Sequence, residues 1–174
     1  TDKYVMAYAK SIEYEKKQNY QEAIRTINEL KDSALYENHL RLGWLYYKLG
    51  QKKKSMKCYE KAISIVPKAI EPRLGYGYPA YQLEDFEDLI AQDLKILEID
   101  PNHKGTLLNL GLIHFYAKEY KKAAPYFTKI TEQYPFDYDA NLTLAWCYLY
   151  LEKKAEAEKY FSTVLLYSPQ DASA

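Results

Sequence analysis

Three histidines, two cysteines and a few charge clusters are the side chains of this chain best suited to chemistry. His39, His103 and His114 are natural metal ligands or proton carriers, yet none stands in an HExxH or comparable ligand spacing. No serine or cysteine sits beside a histidine in a nucleophile motif. Glu84, Asp85, Glu87 and Asp88 cluster where a helix should begin, and there carboxylates complement the positive end of the helix dipole. Lys52, Lys53, Lys54 and Lys57 form the strongest basic run, which reads as a solvated turn. Gly75 and Gly77 make a GxG, but the third glycine and the preceding strand of a nucleotide site are missing, which leaves a packing role. The residues predict no catalytic site, no metal and no cofactor.

The compositional anomaly is aromatic: twenty tyrosines, five phenylalanines and two tryptophans. A repeat positions them. Gly43, Gly77, Gly111 and Ala145 recur every thirty-four residues, and Pro67, Pro101, Pro135 and Pro169 recur with the same period. Units therefore run over 36–69, 70–103, 104–137 and 138–171, with a degraded copy over 4–35. Tyr14, Tyr46 and Tyr148 share the eleventh place with His114, which makes His114 a hydrogen-bonded core residue. Ala23, Ala123 and Ala157 share the twentieth place, and Tyr59, Phe127 and Phe161 the twenty-fourth.

In the fourth unit Leu107, Leu110, Gly111, His114 and Phe115 follow helical spacing, and Tyr120, Ala123, Ala124, Phe127, Ile130 and Thr131 follow it again. Pro135 closes the unit, and Asp137 is placed to cap the next helix. No strand signal occurs, so the class is all-α. Ten helices are expected at 4–17, 20–31, 37–49, 52–65, 70–83, 86–98, 104–117, 120–132, 138–151 and 154–167. In the third unit Leu89 replaces the usual alanine opposite Gly77, an exchange that conserves volume. Pro72 falls in a first turn, where it is tolerated, while Pro79 is interior and is expected to kink its helix.

This pattern resembles the tetratricopeptide repeat family over residues 4 to 169. The resemblance implies a right-handed solenoid of five helix-turn-helix repeats, a single array over 1–174. It also implies that the first helix of each unit lines a concave face that holds partners at positions two, five, nine, twelve and thirteen. Carried over residue by residue, the aromatic side chains at those places are Tyr8, Trp44, Tyr47, Tyr78, Tyr81, Phe115, Tyr116, Trp146 and Tyr150. Both tryptophans are among them. The leucines at the fifth place (Leu40, Leu74, Leu108 and Leu142) and Leu149 are expected to pack between helices. Chaperone-binding members hold a C-terminal carboxylate with lysine, asparagine and arginine at these places. Here Arg41 and Asn109 stand without a lysine partner, and that clamp is absent.

With 24 basic and 24 acidic side chains the net charge is zero, so no overall field calls for nucleic acid or an anionic membrane. No apolar run is long enough to insert in a bilayer. Cys58 and Cys147 fall in units two and five, too far apart in a stacked array to bond, which fits a reducing compartment. The compartment is left open: cytoplasmic, or periplasmic if a signal peptide preceded Thr1 and was removed. The expected function is a non-catalytic protein–protein adaptor that binds a peptide or protein segment in an aromatic-rich groove. The alternative is a carbohydrate or cell-envelope binding module, since ring faces also stack on sugars.

The last expected helix ends in Val164, Leu165, Leu166 and Tyr167, and a helix spreads four consecutive residues around its circumference. They cannot all face the helix they pair with. The chain is therefore expected to be part of a longer array, or to form a two-fold homodimer through this uncapped C-terminal repeat. Light scattering should report a dimer; a clean monomer at high concentration, with that helix end ordered, would show that the repeat caps itself.

Overall fold

The computed structural model describes residues 2–32, 34–168 and 170. Pro169 and the expected end of the last repeat at residue 171 lie outside them. Ten α-helices and no strand occur among the described residues: α1 Asp2–Lys16, α2 Tyr20–Asn28, α3 Tyr36–Lys48, α4 Lys52–Ile65, α5 Glu71–Gln82, α6 Phe86–Ile99, α7 Lys104–Tyr116, α8 Tyr120–Gln133, α9 Tyr138–Tyr150 and α10 Lys154–Tyr167. The sequence-based bounds agree to within three residues at every end. The chain divides into two compact units, residues 1–95 and 96–174, the division falling inside α6.

One device closes five hairpins. The residue before the last of each tight turn takes the left-handed conformation: Gln18, Gly50, Glu84, Lys118 and Glu152 all have φ between 57° and 78°. The next N–H then reaches back five residues, from Asn19 to Tyr14 O, Gln51 to Tyr46 O, Asp85 to Ala80 O, Glu119 to His114 O and Lys153 to Tyr148 O. This is the Schellman closure, which satisfies a carbonyl that the helix end would otherwise orphan. Glycine occupies the turn only at Gly50; the other four side chains bear the cost of that conformation. Lys31 also has positive φ, and it ends α2 at Asn28, three residues before the expected limit.

Within the first unit α3 packs against α4, α4 packs against α5, and α3 also touches α5. The Tyr59 ring of α4 is the wedge. A Cβ on Gly43 of α3 would fall 2.8 Å from its Cζ, and one on Gly75 of α5 would fall 2.5 Å from the same atom. Two glycines thus make room for one ring, which is 4% exposed. In the second unit α8 packs against both α7 and α9, and Phe127 of α8 fills the notch at Gly111, where a Cβ would stand 2.7 Å from its Cζ. Leu107, Ala123, Phe127, Ile130, Ala140, Leu144 and Cys147 complete that core. Gly77 faces Leu89 as expected: a Cβ on this glycine would stand 3.2 Å from Leu89 Cδ1.

A second tie holds three of the hairpins to the segment before them. Asn38 Nδ2 donates to Asp32 O at 2.9 Å, Arg73 Nη2 to Pro67 O at 2.8 Å, and Asn141 Nδ2 to Pro135 O at 2.9 Å. In all three the acceptor lies six residues upstream, and all three donors are buried. Asp137 caps α9 as expected, accepting from Ala140 N at 2.9 Å, and it also pairs with Lys104. On α10 Val164 is buried, while Leu165, Leu166 and Tyr167 are exposed, and the Tyr167 ring centre lies 4.4 Å from that of Phe136.

Three substitutions separate space from conformation. Gly75→Ala should destabilise by about 1–3 kcal/mol, because the Tyr59 ring is held on both sides and overpacking has no outlet. Gly77→Ala should be much milder, since only a leucine methyl must move. Gly50→Ala has open space around it, yet should cost about 1–2 kcal/mol through its left-handed backbone. Denaturant midpoints of the three variants check the order; a Gly75→Ala protein as stable as Gly77→Ala would refute the wedge.

Candidate partner-binding site

The first unit places two sets of side chains in parallel. Helical spacing along α3 gives Glu37, Leu40, Trp44 and Tyr47, and along α5 it gives Glu71, Leu74, Tyr78 and Tyr81. Each set reads acid, leucine, aromatic, tyrosine. Where α3 meets α5 a hollow of about 500 Å³ opens, lined by Leu40, Trp44, Tyr59, Ile70, Glu71, Leu74, Gly75 and Tyr78. Tyr59, wedged between the helices, forms part of its lining. The Trp44 and Tyr47 ring centres are 5.8 Å apart and those of Tyr47 and Tyr78 5.7 Å apart, a run of tilted aromatic contacts. Gln82 Nε2 donates to the Tyr47 hydroxyl at 3.0 Å. Tyr78 is 55% exposed and Tyr81 59%, the latter packed edge-on against Phe86.

Trp44 is fixed from α1. Its Nε1 donates to Glu15 Oε1 at 2.6 Å, while Arg41 Nη1 donates to Glu15 Oε2 at 2.5 Å and Arg41 Nε to the buried Ser11 hydroxyl at 3.2 Å. Arg41 is therefore committed inside the fold and does not face a ligand. Burial pushes the Glu15 carboxyl up, but the hydrogen bonds from Trp44 and Arg41 outweigh it and hold the group below its ordinary value of 4.5. Tyr8, also on α1, donates to Asn38 Oδ1 at 2.7 Å, and burial with the nearby Glu37 charge pushes its phenol up to about 12. Half-buried and hydrogen-bonded, Tyr8 belongs to the scaffold as much as to any surface.

In the second unit the rings lean on one another. Trp146 and Tyr150 are 5.9 Å apart, Phe115 and Tyr150 6.3 Å, and Phe115 and Tyr116 5.7 Å. Tyr120, absent from the sequence-based set, stacks on Tyr150 at 4.5 Å. Phe161 meets Trp146 edge-on at 5.3 Å. Tyr116 is the most exposed of these rings at 78%, while Phe115 and Trp146 are half-buried. Two leucine expectations need correction: Leu74 and Leu149 are exposed rather than packed between helices, since Leu74 lines the open hollow.

His103 and His114 are occupied structurally. His103 Nδ1 caps α7, accepting from Thr106 N at 3.2 Å. His114 Nδ1 lies 2.7 Å from Glu119 Oε2, and its ring stacks over Tyr126 at 5.9 Å, as a hydrogen-bonded core residue should. Glu119 also takes Lys122, and these two partners, Lys122 first, hold its carboxyl below the usual range. Burial pushes the Cys58 thiol up to about 11 and the Cys147 thiol to about 12, so neither is a thiolate at neutral pH. Among the described residues no three histidine, cysteine or acidic side chains gather as a metal site. No helix among them is long and apolar enough to cross a membrane.

Two tetratricopeptide repeat profiles match the chain, one over residues 36–69 and one over 114–174. No curated protein matches the sequence. Among solved structures, the crystal structure of MamA protein superimposes with a TM-score of 0.81 at 18% identity, covering 98% of this chain and 94% of that one. A tetratricopeptide repeat protein from Parabacteroides merdae superimposes with a TM-score of 0.83 at 22% identity, covering 98% of this chain and 69% of that one. At such identities the likeness is one of fold.

The Glu15 latch makes a pH prediction. A carboxyl held low in the fold contributes stability that is complete above the ordinary glutamate value and is lost as pH falls through the lower folded value. In a Trp146→Phe background, Trp44 emission should stay constant through pH 4.5 and change only below it. Glu15→Gln should abolish that transition; a midpoint at or above the ordinary glutamate value would show that the latch does not hold the charge.

Proposed function

Because the chain belongs to the tetratricopeptide repeat family, whose members mediate protein–protein interactions, we propose that it is a non-catalytic adaptor holding a peptide or protein segment against its aromatic first-helix surface. The observation that carries this reading is the hollow between α3 and α5, where Trp44, Tyr59 and Tyr78 line one open space of about 500 Å³. Ligand hollows span roughly 300–1,000 Å³ and combine apolar walls with a few polar groups. Tyrosine and tryptophan dominate binding energy at interfaces because they bring large rigid area and a polar tip. Tyr81 extends the proposed surface in the first unit, and the rings of Phe115, Tyr116, Trp146 and Tyr150 offer a separate aromatic surface in the second.

The test is capture of partners from the source cell with the wild-type chain and with Trp44→Ala and Tyr78→Ala, followed by affinity measurement on the captured segment. Each substitution should weaken binding by about 2 kcal/mol or more, as the loss of an aromatic anchor does. Unchanged affinity in both variants, with helicity and melting intact, overturns the proposal. Tyr78-dependent binding on a glycan array, with no peptide captured, would replace it with the carbohydrate reading.

A further inference from the structure

The α3–α5 hollow carries a chemical preference of its own, which rests on the adaptor reading above. Its walls are Leu40, Ile70 and Leu74 on the aliphatic side and Trp44, Tyr59 and Tyr78 on the aromatic side. Glu71 is the one carboxylate among the lining residues, which include no lysine, arginine or histidine. Glu37 stands at the matching place on the first turn of α3. Neither Glu37 nor Glu71 has a salt-bridge partner among the described residues, whereas Glu15, Glu22, Glu29 and Glu119 each have one. Both carboxylates act on the same place, since Glu71 and then Glu37 raise the Tyr36 phenol beyond what its burial does.

The basic groups nearby are turned to other work. Arg41 is committed to Glu15 and Ser11. Arg73, two residues after Glu71, is buried with Nη1 on Gln92 Oε1 and Nη2 on Pro67 O. Lys48 lies one turn beyond Trp44, its Nζ 5.4 Å from that ring's centre, at the opposite end of α3 from Glu37. The hollow is therefore acidic at the helix N-termini, aliphatic in the next turn and aromatic beyond it.

First-turn acids also complement helix dipoles, and that role alone would explain Glu37 and Glu71 on any surface. It does not explain an unpaired carboxylate placed in the wall of an apolar, ring-lined hollow. A long cationic side chain satisfies the whole set at once: its methylene stem covers leucine and isoleucine, and its head reaches both a carboxylate and a ring face. We infer that the hollow accepts an arginine or lysine side chain, flanked by an apolar residue, from an extended or helical segment of the partner protein.

Phage-displayed random peptides panned on the full chain, with clones retained by Tyr78→Ala or Trp44→Ala discarded, supply the probes. Tyr78 is exposed, so its variant keeps the selection valid even where Trp44→Ala fails to fold. Peptides dependent on the hollow should be enriched in arginine or lysine beside an aliphatic residue. Fluorescence anisotropy of those peptides should show about a tenfold loss with Glu71→Gln, the usual worth of one hydrogen bond to a charged group, and a smaller loss with Glu37→Gln. Hollow-dependent peptides lacking basic enrichment, or indifferent to Glu71→Gln, overturn the cation preference and leave the adaptor reading standing. No hollow-dependent peptide at all overturns both.

Discussion

At three helix contacts the separation depends on one contact type, an aromatic ring seated where a glycine has no side chain. Tyr59 meets Gly43 and Gly75, and Phe127 meets Gly111. Fully burying such a ring yields about 1.5–3 kcal/mol from apolar transfer alone, and the close backbone approach adds dispersion across the whole ring face. The contact sets a distance as well as an energy. Because one ring touches a helix of its own hairpin and a helix of the next, the spacing within a hairpin and the spacing between hairpins are coupled in the first unit. The hollow opens where α3 meets α5 over this ring, which forms part of its lining.

Apolar packing fixes distance but leaves rotation about each helix axis loose, and the polar ties remove that freedom. The six-residue clasps of Asn38, Arg73 and Asn141 anchor the first turn of α3, α5 and α9 to the carbonyl before it. The five-residue Schellman bonds fix the other end of the first helix in each hairpin. A buried amide that loses such a partner costs roughly 1–3 kcal/mol, so rotation by a fraction of a turn is penalised at both ends. The Glu15 latch adds a third point, at Trp44 itself. An indole bound to a carboxylate at 2.6 Å presents a fixed face to solvent, which is the preorganisation that a binding surface needs.

The helices are legible in the sequence because period and punctuation agree. Glycine at the eighth place, alanine at the twentieth and proline at the end each answer a steric demand that no other residue type meets as cheaply. The aromatic surface is legible only in part. Position in the repeat marks Trp44, Tyr47, Tyr78 and Tyr81, but nothing in that spacing tells Tyr8, hydrogen-bonded to Asn38, from the freely exposed Tyr116. For Gly75 the sequence yields a packing role without a partner, because the Tyr59 ring that fills its space comes from the preceding repeat. Glu15 and Trp44 are twenty-nine residues apart, and their bond depends on the rotamers of two long side chains, which no local pattern encodes. Leu74 escapes as well: Leu40, Leu108 and Leu142 at the same place are half-buried, whereas Leu74 is exposed on the open hollow.

The electrostatics of the first unit then follow from which charges the scaffold consumes. Folding uses the basic groups: Arg41 holds Glu15, and Arg73 clasps Pro67 and Gln92 from a buried position. Their acidic neighbours Glu37 and Glu71 are left at the surface, where the helix N-termini make them inexpensive to keep. Two acids without a salt-bridge partner among the described residues thereby stand on neighbouring helix N-termini in a chain of zero net charge. Members of the family that clamp a carboxylate place free lysine and arginine on the same helices. Here Arg41 and Arg73 turn into the fold while Glu37 and Glu71 stay exposed, so the charges left on the first turns of α3 and α5 are acids. Selectivity in such an array need not come from new residues on the surface; it can come from which partner, solvent or scaffold, each existing charge is given.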